Sequence, residues 1–238
     1  LGAALAEVGQ KVLLVDFDPQ GALSVGLGID PRVLETTIYD LVMEDPDVTV
    51  EDVLLDTPVE NMQLLPSNID LSGAEIRLVN EVAREYALQR ALQPLLPHYD
   101  IVLIDCQPSL GLLTVNALAC AHSVIIPLEC EFFALRGVAL LMETISKVQE
   151  RVNKNLQIDG LLATMYDPRT LHAREVLQTI MQGFGDKVFH TVINRTVRFP
   201  DATLAGEPIT IFDPGSMGAA AYRDLARELL ARWSSMNG

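Results

Sequence analysis

Cationic residues are scarce in this sequence. Its 238 residues include 17 lysines and arginines against 32 aspartates and glutamates, which gives a formal net charge of -15. Nonspecific nucleic-acid binding depends on Lys and Arg neutralising phosphates, so a protein coated in positive potential is excluded. Any contact with DNA must come from a local patch. Residues 151–200 offer one, with seven lysines and arginines against four acids.

Cysteines and long apolar runs are also few. Cys106, Cys120 and Cys130 are odd in number and unevenly spaced, and they lie in apolar segments. We interpret them as buried small hydrophobes rather than as a disulfide framework or a zinc site. No stretch approaches the roughly 18 consecutive apolar residues that span a bilayer, and none resembles a secretion signal. We therefore expect a soluble cytoplasmic protein.

Lysine is the rarest cation, with only Lys11, Lys147, Lys154 and Lys187 in the chain. None of them follows a glycine in a glycine-rich loop, the arrangement that cradles ATP phosphates. The chain also begins at Leu1 rather than at Met, and residues 1–7 look like the second half of a helix. We expect an N-terminus that is truncated and a phosphate-binding loop that is missing.

Short apolar strand patterns alternate with longer helical patterns, which predicts a single α/β domain over residues 1–238. Continuous apolar runs suit strands covered on both faces, so we expect a doubly wound, mainly parallel sheet flanked by helices. Residues 29–68 are the least regular part, with short helices and a hairpin. The predicted strands are Val12–Val15, Gln63–Leu65, Ile101–Ile104, Val124–Pro127, Leu161–Met165 and Ile209–Phe212. The predicted helices are Ile69–Leu96, Leu112–Ala121, Leu135–Val152, Leu171–Phe184 and Ala219–Trp233.

Acidic residues follow two of these strands directly. In LLVDFDPQG, Asp16 and Asp18 lie two residues apart at a strand end, which puts both carboxylates on one side of extended backbone. In YDIVLIDCQPS, four apolar residues lead into Asp105, the arrangement of a Walker B acid. Ligands of open α/β sheets collect at the carboxyl ends of the strands, so these acids are candidates for holding Mg²⁺ or orienting a water. A helix-capping or turn role is the alternative for Asp105 alone.

Seven segments, in this order and spacing, resemble the ParA/Soj family of P-loop ATPases with a deviant Walker A motif. They are VLLVDFDPQG, YDIVLIDCQPSLGLLTVNAL, PLECEFFALRG, TMYDPRT, REV, FGDKVF and INRTVRFPDA. The likeness covers nearly the whole chain and is greatest to actinobacterial ParA-like proteins. Members begin with a strand and a loop of the form KGGVGKTT, so the resemblance implies that the first strand, the loop and the start of the first helix are absent here.

The resemblance assigns roles to the site residues. Asp18 matches the acid needed for ATP hydrolysis, Asp16 its neighbour near the Mg²⁺ shell, and Asp105 the Walker B acid. Met165 and Asn194 match nucleotide-contacting positions. Many relatives read I-P-R-N-V-R where this chain reads INRTVR from Ile193. The fragment is expected to bind and hydrolyse ATP poorly, and the full-length protein to do both.

The family also implies partners. ATP held between two protomers gives a homodimer that binds DNA without sequence preference, under the control of a ParB-like or condensin-associated protein on the nucleoid. Arg169 and Arg198 match the DNA-contacting arginines, with Arg195 as a helper. The alternative is that these arginines are solvated or pair with acids such as Asp167 and Asp201.

Other classes of protein fit the sequence less well. A MinD-like membrane-surface ATPase needs a basic amphipathic C-terminal helix. The segment Ala219–Trp233 has Arg223, Arg227 and Arg232, but Asp224 and Glu228 dilute its charge, which favours an ordinary packed helix. A non-catalytic binding module is a further alternative for a chain without the loop. Nitrogenase-reductase-like iron–sulfur chemistry is disfavoured because Cys106 directly follows Asp105.

Overall fold

The computed structural model describes residues 1–109, 111–131 and 134–236. Leu110, Phe132 and Phe133 belong to two of the family-like segments and lie outside the described residues. Apolar runs form the strands, and the first of these is buried at every position. The strands are β1 (Val12–Phe17), β2 (Leu55–Asp56), β3 (Met62–Leu65), β4 (Ile101–Cys106), β5 (Ser123–Glu129) and β6 (Gln157–Thr164).

The strands form two hydrogen-bonded groups. One is four-stranded in the order β2-β3-β1-β4, and the other pairs β5 with β6. The strands β3, β1 and β4 are mutually parallel, as are β5 and β6, whereas β2 pairs antiparallel with β3 as the predicted hairpin. Within the described residues, no hydrogen-bonded ladder joins β4 to β5. The prediction of an α/β fold with mainly parallel strands is confirmed.

Helices cover the strands on both faces. They are α1 (Gly2–Glu7), α2 (Ala22–Gly26), α3 (Ile38–Val42), α4 (Val50–Val53), α5 (Leu71–Arg77), α6 (Ala87–Leu92), α7 (Leu112–Cys120), α8 (Ala134–Arg151), α9 (Leu171–Phe184), α10 (Arg198–Ala205), α11 (Ile209–Phe212) and α12 (Met217–Met236). Single turns of 3-10 helix occur at Pro31–Val33, Leu78–Asn80, Arg84–Tyr86, Leu96–His98 and Gly185–Lys187. Among the described helices, none has the length and apolar character that crossing a bilayer requires.

Two helices bridge the strand groups. On one face, α7 contributes Leu113 to the core beneath β1 and Leu118 to the core around β5 and β6. On the other face, α12 contributes Ala226 to a core with β1 and Leu229 to a core with β6. Continuous apolar packing on both faces therefore holds the two groups together, although their backbones are not paired.

Two predicted elements were wrong. Ile209–Phe212 is a helical turn, because the amides of Ile211 and Phe212 both donate to the Pro208 carbonyl at 2.9 Å. The predicted continuous helix Ile69–Leu96 breaks into α5, two 3-10 turns and α6. Ala83 adopts a left-handed φ of 54° between the two turns. The buried Asn116 side chain binds the backbone at Arg84 in the second turn and at Leu88 in α6, which stabilises the break.

A close glycine contact joins the loop after α2 to the end of α10. Gly28 and Gly206 both have positive φ, at 80° and 68°. A Cβ on Gly206 would lie 2.6 Å from the Gly28 Cα, a separation that real Cβ atoms do not show. Only glycine fits this approach, so the loop after α2 is packed directly on the end of the arginine-bearing α10.

Candidate functional site

The structure brings the three predicted acids together. The register of β1 and β4 pairs Asp16 with Asp105 as neighbours across the strands. Asp18 follows one residue after β1 ends, where the chain turns through Pro19 towards α2. Parallel pairing of two apolar strands of equal length thus delivers the acids to one edge of the sheet, as the sequence predicted.

Asp16 is fully buried and strongly hydrogen-bonded. Its Oδ2 accepts from the Ser24 amide at 2.8 Å and from the Ser24 hydroxyl at 2.7 Å, and its Oδ1 accepts from the Asp18 amide at 3.4 Å. Burial raises the pKa of Asp16, and the hydrogen bonds from Ser24 oppose that rise. Asp16 therefore anchors the first turn of α2 beneath Asp18. Sequence reasoning missed Ser24, because nothing in its spacing distinguishes it from an ordinary helix serine.

Asp18 lies in the turn directly after β1, closer to solvent than Asp16. Its Oδ1 accepts from the Gln20 amide at 2.9 Å, which turns the chain immediately after the strand. Gly21 completes the turn with a φ of 62°, and a Cβ there would lie 2.8 Å from the Pro31 side chain and 3.1 Å from the Ser67 carbonyl oxygen. The turn is thus specified by a carboxylate and a glycine, and it leaves Asp18 only half-buried.

Asp105 at the end of β4 is reached by solvent, yet the surrounding protein removes much of its hydration. This desolvation, together with the negative charges of Asp16 and Asp18, raises the pKa of Asp105 to about 6. The mutual repulsion shows that the three carboxylates share one electrostatic environment. Among the described residues, no three His, Cys, Asp or Glu side chains are arranged as a ready-made metal site. A cation here would need further ligands from water or from a bound molecule.

The loop after Asp105 is held from the side by α5. Glu75 Oε1 lies 3.4 Å from the Gln107 side-chain amide and 3.4 Å from the Leu113 backbone amide, which both donate to it. A Cβ on Gly111 would lie 2.1 Å from the same oxygen, so a larger residue there would require the flexible Glu75 side chain to move. Sequence reasoning did not identify Glu75 because it lies far from Asp105 along the chain.

Met165 and Asn194 lie at the end of β6. Met165 has a φ of 51°, which is unusual for a side chain other than glycine. Tyr166 forms an isolated parallel bridge with Asn194 and accepts from the Arg195 amide at 2.9 Å. A cavity of about 280 Å³ beside them is lined by Met165 and Arg195, together with Cys130, Glu131, Asp167, Thr170, His172 and Ala173. Met165 and Asn194, the predicted nucleotide-contacting residues, therefore lie on neighbouring backbone segments.

Each of the three predicted DNA-binding arginines faces a carboxylate. The Arg169 guanidinium donates two bonds to Asp167, at 2.9 and 2.8 Å. These bonds, with one from the Arg169 amide, lower the pKa of Asp167 to about 2. Arg198 lies 3.3 Å from Asp213 and 3.8 Å from Asp201, and Arg195 lies 3.5 Å from Glu131. The ion-pair alternative therefore describes their geometry in this structure, although all three side chains stay exposed enough to exchange partners.

The cysteines follow the prediction only in part. Cys130 is buried and Cys120 is half-buried, but Cys106 is exposed beside Asp105. The prediction of a buried Cys106 was wrong, because β4 has no partner on that side within the described residues and its last two positions emerge from the core. Desolvation raises the pKa of the Cys106 thiol to about 12, with the Asp105 charge as a second cause. The thiol is therefore un-ionised at neutral pH and a weak nucleophile.

The C-terminal helix α12 packs as an ordinary core helix. Leu225, Ala226 and Leu229 are fully buried. Arg223 pairs with Glu7 at 2.6 Å, and the Arg232 guanidinium lies 4.2 Å from the centre of the Phe189 ring. Its apolar face is thus already occupied by the protein core.

Comparisons with known proteins show the family of the chain. A family model described as an AAA domain matches residues 1–158. An uncharacterised protein of Mycobacterium tuberculosis is 62% identical over 233 residues, which are 98% of this chain and 73% of that protein. The sporulation initiation inhibitor protein Soj of Bacillus subtilis is 47% identical over 231 residues, 97% of this chain and 90% of that protein.

A solved structure has the same fold. The cobyrinic acid a,c-diamide synthase of Mycobacterium smegmatis, with bound ADP and magnesium, superimposes with a TM-score of 0.85 at 45% identity. The match covers 98% of this chain and 87% of that one. The fold and the match over residues 1–158 place this chain in the AAA-domain class of α/β P-loop folds. The chain is 47% identical to Soj over 90% of that protein. It therefore belongs to the ParA/Soj family of P-loop ATPases.

Proposed function

We propose that the protein is an ATP-dependent dimerisation switch for chromosome or plasmid partitioning. It binds DNA nonspecifically and hydrolyses ATP under the control of a ParB-like or condensin-associated partner. The observation that carries this proposal is the convergence of Asp16, Asp18 and Asp105 at one edge of the sheet. Residues 1–238 act as a single ATPase domain, in the cytoplasm and on the nucleoid.

The three carboxylates have different tasks in this proposal. Asp18 orients the attacking water, because it is the least buried of the acids that share the turn. Asp16 fixes that turn through Ser24. Asp105 and Asp16 would hold Mg²⁺, whose charge stabilises the transferring phosphate when it is bound. The donor set fits, since carboxylate oxygens suit a hard cation and Mg²⁺ commonly keeps waters that supply the remaining ligands.

ATP would lie with its base near Met165 and Asn194. Their backbone segments are held together by the Tyr166 bridge, which gives a fixed edge to that side of the site. None of the four lysines lies in a glycine-rich loop, so residues 1–238 alone lack a backbone cradle for the phosphates. We therefore infer weak ATP binding and slow hydrolysis by these residues alone, and normal activity for a protein that includes such a loop.

DNA binding would use Arg169, Arg195 and Arg198. Their carboxylate partners compete with phosphates, so we expect weak DNA binding that falls steeply with salt. A MinD-like action at a membrane surface is not favoured, because the apolar face of α12 is packed in the core and Arg223 is paired with Glu7.

The test is ATP hydrolysis by the protein, with and without duplex DNA. We expect hydrolysis that duplex DNA stimulates at low salt. Asp18→Asn should lower the turnover by at least about a hundredfold, as expected for loss of a group that acts on the attacking water. The matched control is Asp47→Asn in an exposed loop, which should leave turnover unchanged.

The 45% identity to the M. smegmatis cobyrinic acid a,c-diamide synthase suggests a second candidate, ATP-dependent amide formation. Adding cobyrinic acid with an amide donor to the same assay distinguishes amide formation from the partitioning switch. Hydrolysis that needs the acid and ignores DNA would refute the partitioning switch.

A further inference from the structure

A buried chain of hydrogen bonds lies behind the pair of Asp16 and Asp18. The Ser67 amide donates to the Ser24 hydroxyl oxygen at 3.3 Å, and the Ser24 hydroxyl donates to Asp16 Oδ2 at 2.7 Å. Asp16, Ser24 and Ser67 are all fully buried. We call these three residues the buried relay. It joins three segments that are separate in sequence, namely the end of β1, the first turn of α2 and the residue two positions after β3.

The direction of each bond in the buried relay is fixed. A hydroxyl carries one hydrogen, and a backbone amide can only donate. The Ser24 oxygen therefore accepts from Ser67, and its single hydrogen is directed at Asp16. The Ser24 amide donates to the same Asp16 oxygen at 2.8 Å. Because Oδ2 receives two donors away from solvent, rotation of the carboxylate out of this position would leave a buried donor without its acceptor.

The Ser24 side chain serves the Asp16 carboxylate rather than its own helix. The residue before α2 is Gly21, which has no side chain to cap the first turn. Asp16 takes that place, since its carboxylate accepts from the Ser24 amide. Both partners of the Ser24 hydroxyl lie outside α2. The hydroxyl therefore fixes the carboxylate that in turn holds the start of the helix.

We propose that Ser24 is a positioning residue for ATP hydrolysis, which acts on Asp18 through Asp16. The Asp18 amide donates to Asp16 Oδ1, so the orientation of the Asp16 carboxylate sets the start of the turn after β1. The Gly21 amide then closes this turn by donating to the Asp18 carbonyl at 2.9 Å. The proposal rests on the proposed function, in which Asp18 orients the attacking water. Ser24 is buried away from solvent and acts only through Asp16.

The bond from the Asp18 amide to Asp16 is the weak point of the turn. Its length of 3.4 Å exceeds the usual limit of about 3.2 Å, so it contributes little unless the carboxylate is held from its other side. The turn also lies against Ser67, since a Cβ on Gly21 would lie 3.1 Å from the Ser67 carbonyl oxygen. Loss of the Ser24 hydroxyl would therefore loosen Asp16 and the turn that carries Asp18 together.

The first test is a double-mutant cycle on ATP hydrolysis by the protein. Ser24→Ala should lower kcat at least about tenfold, as expected for a small displacement of a group that acts on the reacting atoms, while KM for ATP stays within about twofold. In the Asp18→Asn background the same substitution should lower kcat no further, because its whole effect passes through Asp18. Ser24→Cys keeps the volume but donates weakly, so its kcat should lie between those of the parent and Ser24→Ala. It also replaces the alanine variant if that variant does not fold.

Ser216→Ala is the matched control, because the Ser216 hydroxyl also links two groups of the fold. It donates to the Asp213 carbonyl at 2.7 Å and accepts from the Ala219 amide at 3.1 Å. Its loss should lower the free energy of unfolding, measured in urea, and leave kcat unchanged. An equal loss of kcat in Ser216→Ala and Ser24→Ala would overturn the proposal. So would a further loss from Ser24→Ala in the Asp18→Asn background, or a loss expressed only in KM.

Amide hydrogen exchange, followed by NMR on residues 1–238 without nucleotide, tests the positioning directly. Ser24→Ala should speed the exchange of the Asp18 and Gly21 amides at least about tenfold, because the turn opens more often. Ser216→Ala should leave both amides at the parent rate. Parent-like exchange of both amides in Ser24→Ala would refute the action of Ser24 on the turn, whatever the rate of hydrolysis. Because this measurement uses no ATP, its failure is distinguishable from failure of the ATPase assay.

Discussion

Glu228 on α12 provides the sharpest test of how the C-terminal helix is held. Its Oε1 accepts from the His190 amide at 2.8 Å and from Arg232 at 2.9 Å. Its Oε2 accepts from the Thr191 amide at 3.0 Å and from the Thr191 hydroxyl at 2.9 Å. Burial alone would raise the pKa of Glu228, but these hydrogen bonds outweigh burial and lower it to about 2 from the usual 4.5.

The pKa shift sets the size and sign of the expected effect. Lowering the pKa of Glu228 from 4.5 to about 2 corresponds to about 3 kcal/mol of folding free energy. Because the folded-state pKa lies below the unfolded one, this stabilisation is fully present above about pH 4.5 and is lost as the pH falls towards 2. Near pH 3 about 2 kcal/mol of it should already be gone.

Glu228→Gln is the perturbation. The amide keeps one acceptor oxygen and turns an NH₂ group towards two donors, so we expect a loss of at least about 3 kcal/mol at pH 7. Urea unfolding gives the free energy of the parent and the variant, and their difference should shrink by about 2 kcal/mol between pH 7 and pH 3. Glu143→Gln is the control: Glu143 pairs with Lys147 on an exposed face, and its loss should cost less than about 0.5 kcal/mol. A difference for Glu228→Gln that does not vary with pH would refute the reasoning.

Four further substitutions, one of them a control, test the packing, each by urea unfolding at neutral pH. Gly206→Ala should cost about 1–3 kcal/mol, because φ is positive and the new Cβ would strike backbone. Gly183→Ala in α9 meets nothing within 4 Å and should be neutral or stabilising. Asn116→Ala should cost about 2–4 kcal/mol, since the buried Leu88 amide loses its acceptor. Phe17→Ala, at a fully buried position, should cost about 3–5 kcal/mol. A loss for Gly206→Ala no greater than that for Gly183→Ala would contradict the close glycine contact.

The convergence of the acids was predictable because it depends on local pattern and on sheet geometry alone. Val12–Val15 and Ile101–Ile104 are apolar runs that each end in an acid, and parallel pairing in register brings Asp16 beside Asp105. The hydrogen bonds of Asp16 were not predictable. They require the turn at Gly21, whose left-handed conformation directs Ser24 back under the strand.

The elements that were predicted wrongly were decided by specific hydrogen bonds, one set local and the other tertiary. Ile209–Phe212 has a strand-like composition, but the Pro208 carbonyl collects two amides and turns the segment into a helix. The break before α6 is stabilised by Asn116, a residue that lies in another helix. Pro208 directly precedes the first segment, whereas Asn116 lies far from the second in sequence, so only the break before α6 depends on hydrogen bonds from elsewhere in the fold.

The cationic segment of residues 151–200 is less available to phosphates than its charge suggests, because its arginines pair with carboxylates. The excess of cations in residues 151–200 is compatible with arginines that are free to bind phosphate. In the structure, however, Arg169 donates two hydrogen bonds to Asp167, and Arg198 lies between Asp201 and Asp213. Binding of a phosphate would therefore exchange one anion for another rather than neutralise an uncompensated cation, and the displaced carboxylates would remain nearby to repel it. The favourable part of such an exchange comes mainly from released counterions, which salt suppresses. A chain with this charge balance can hold DNA only where several arginines act together, and a second protomer would double their number.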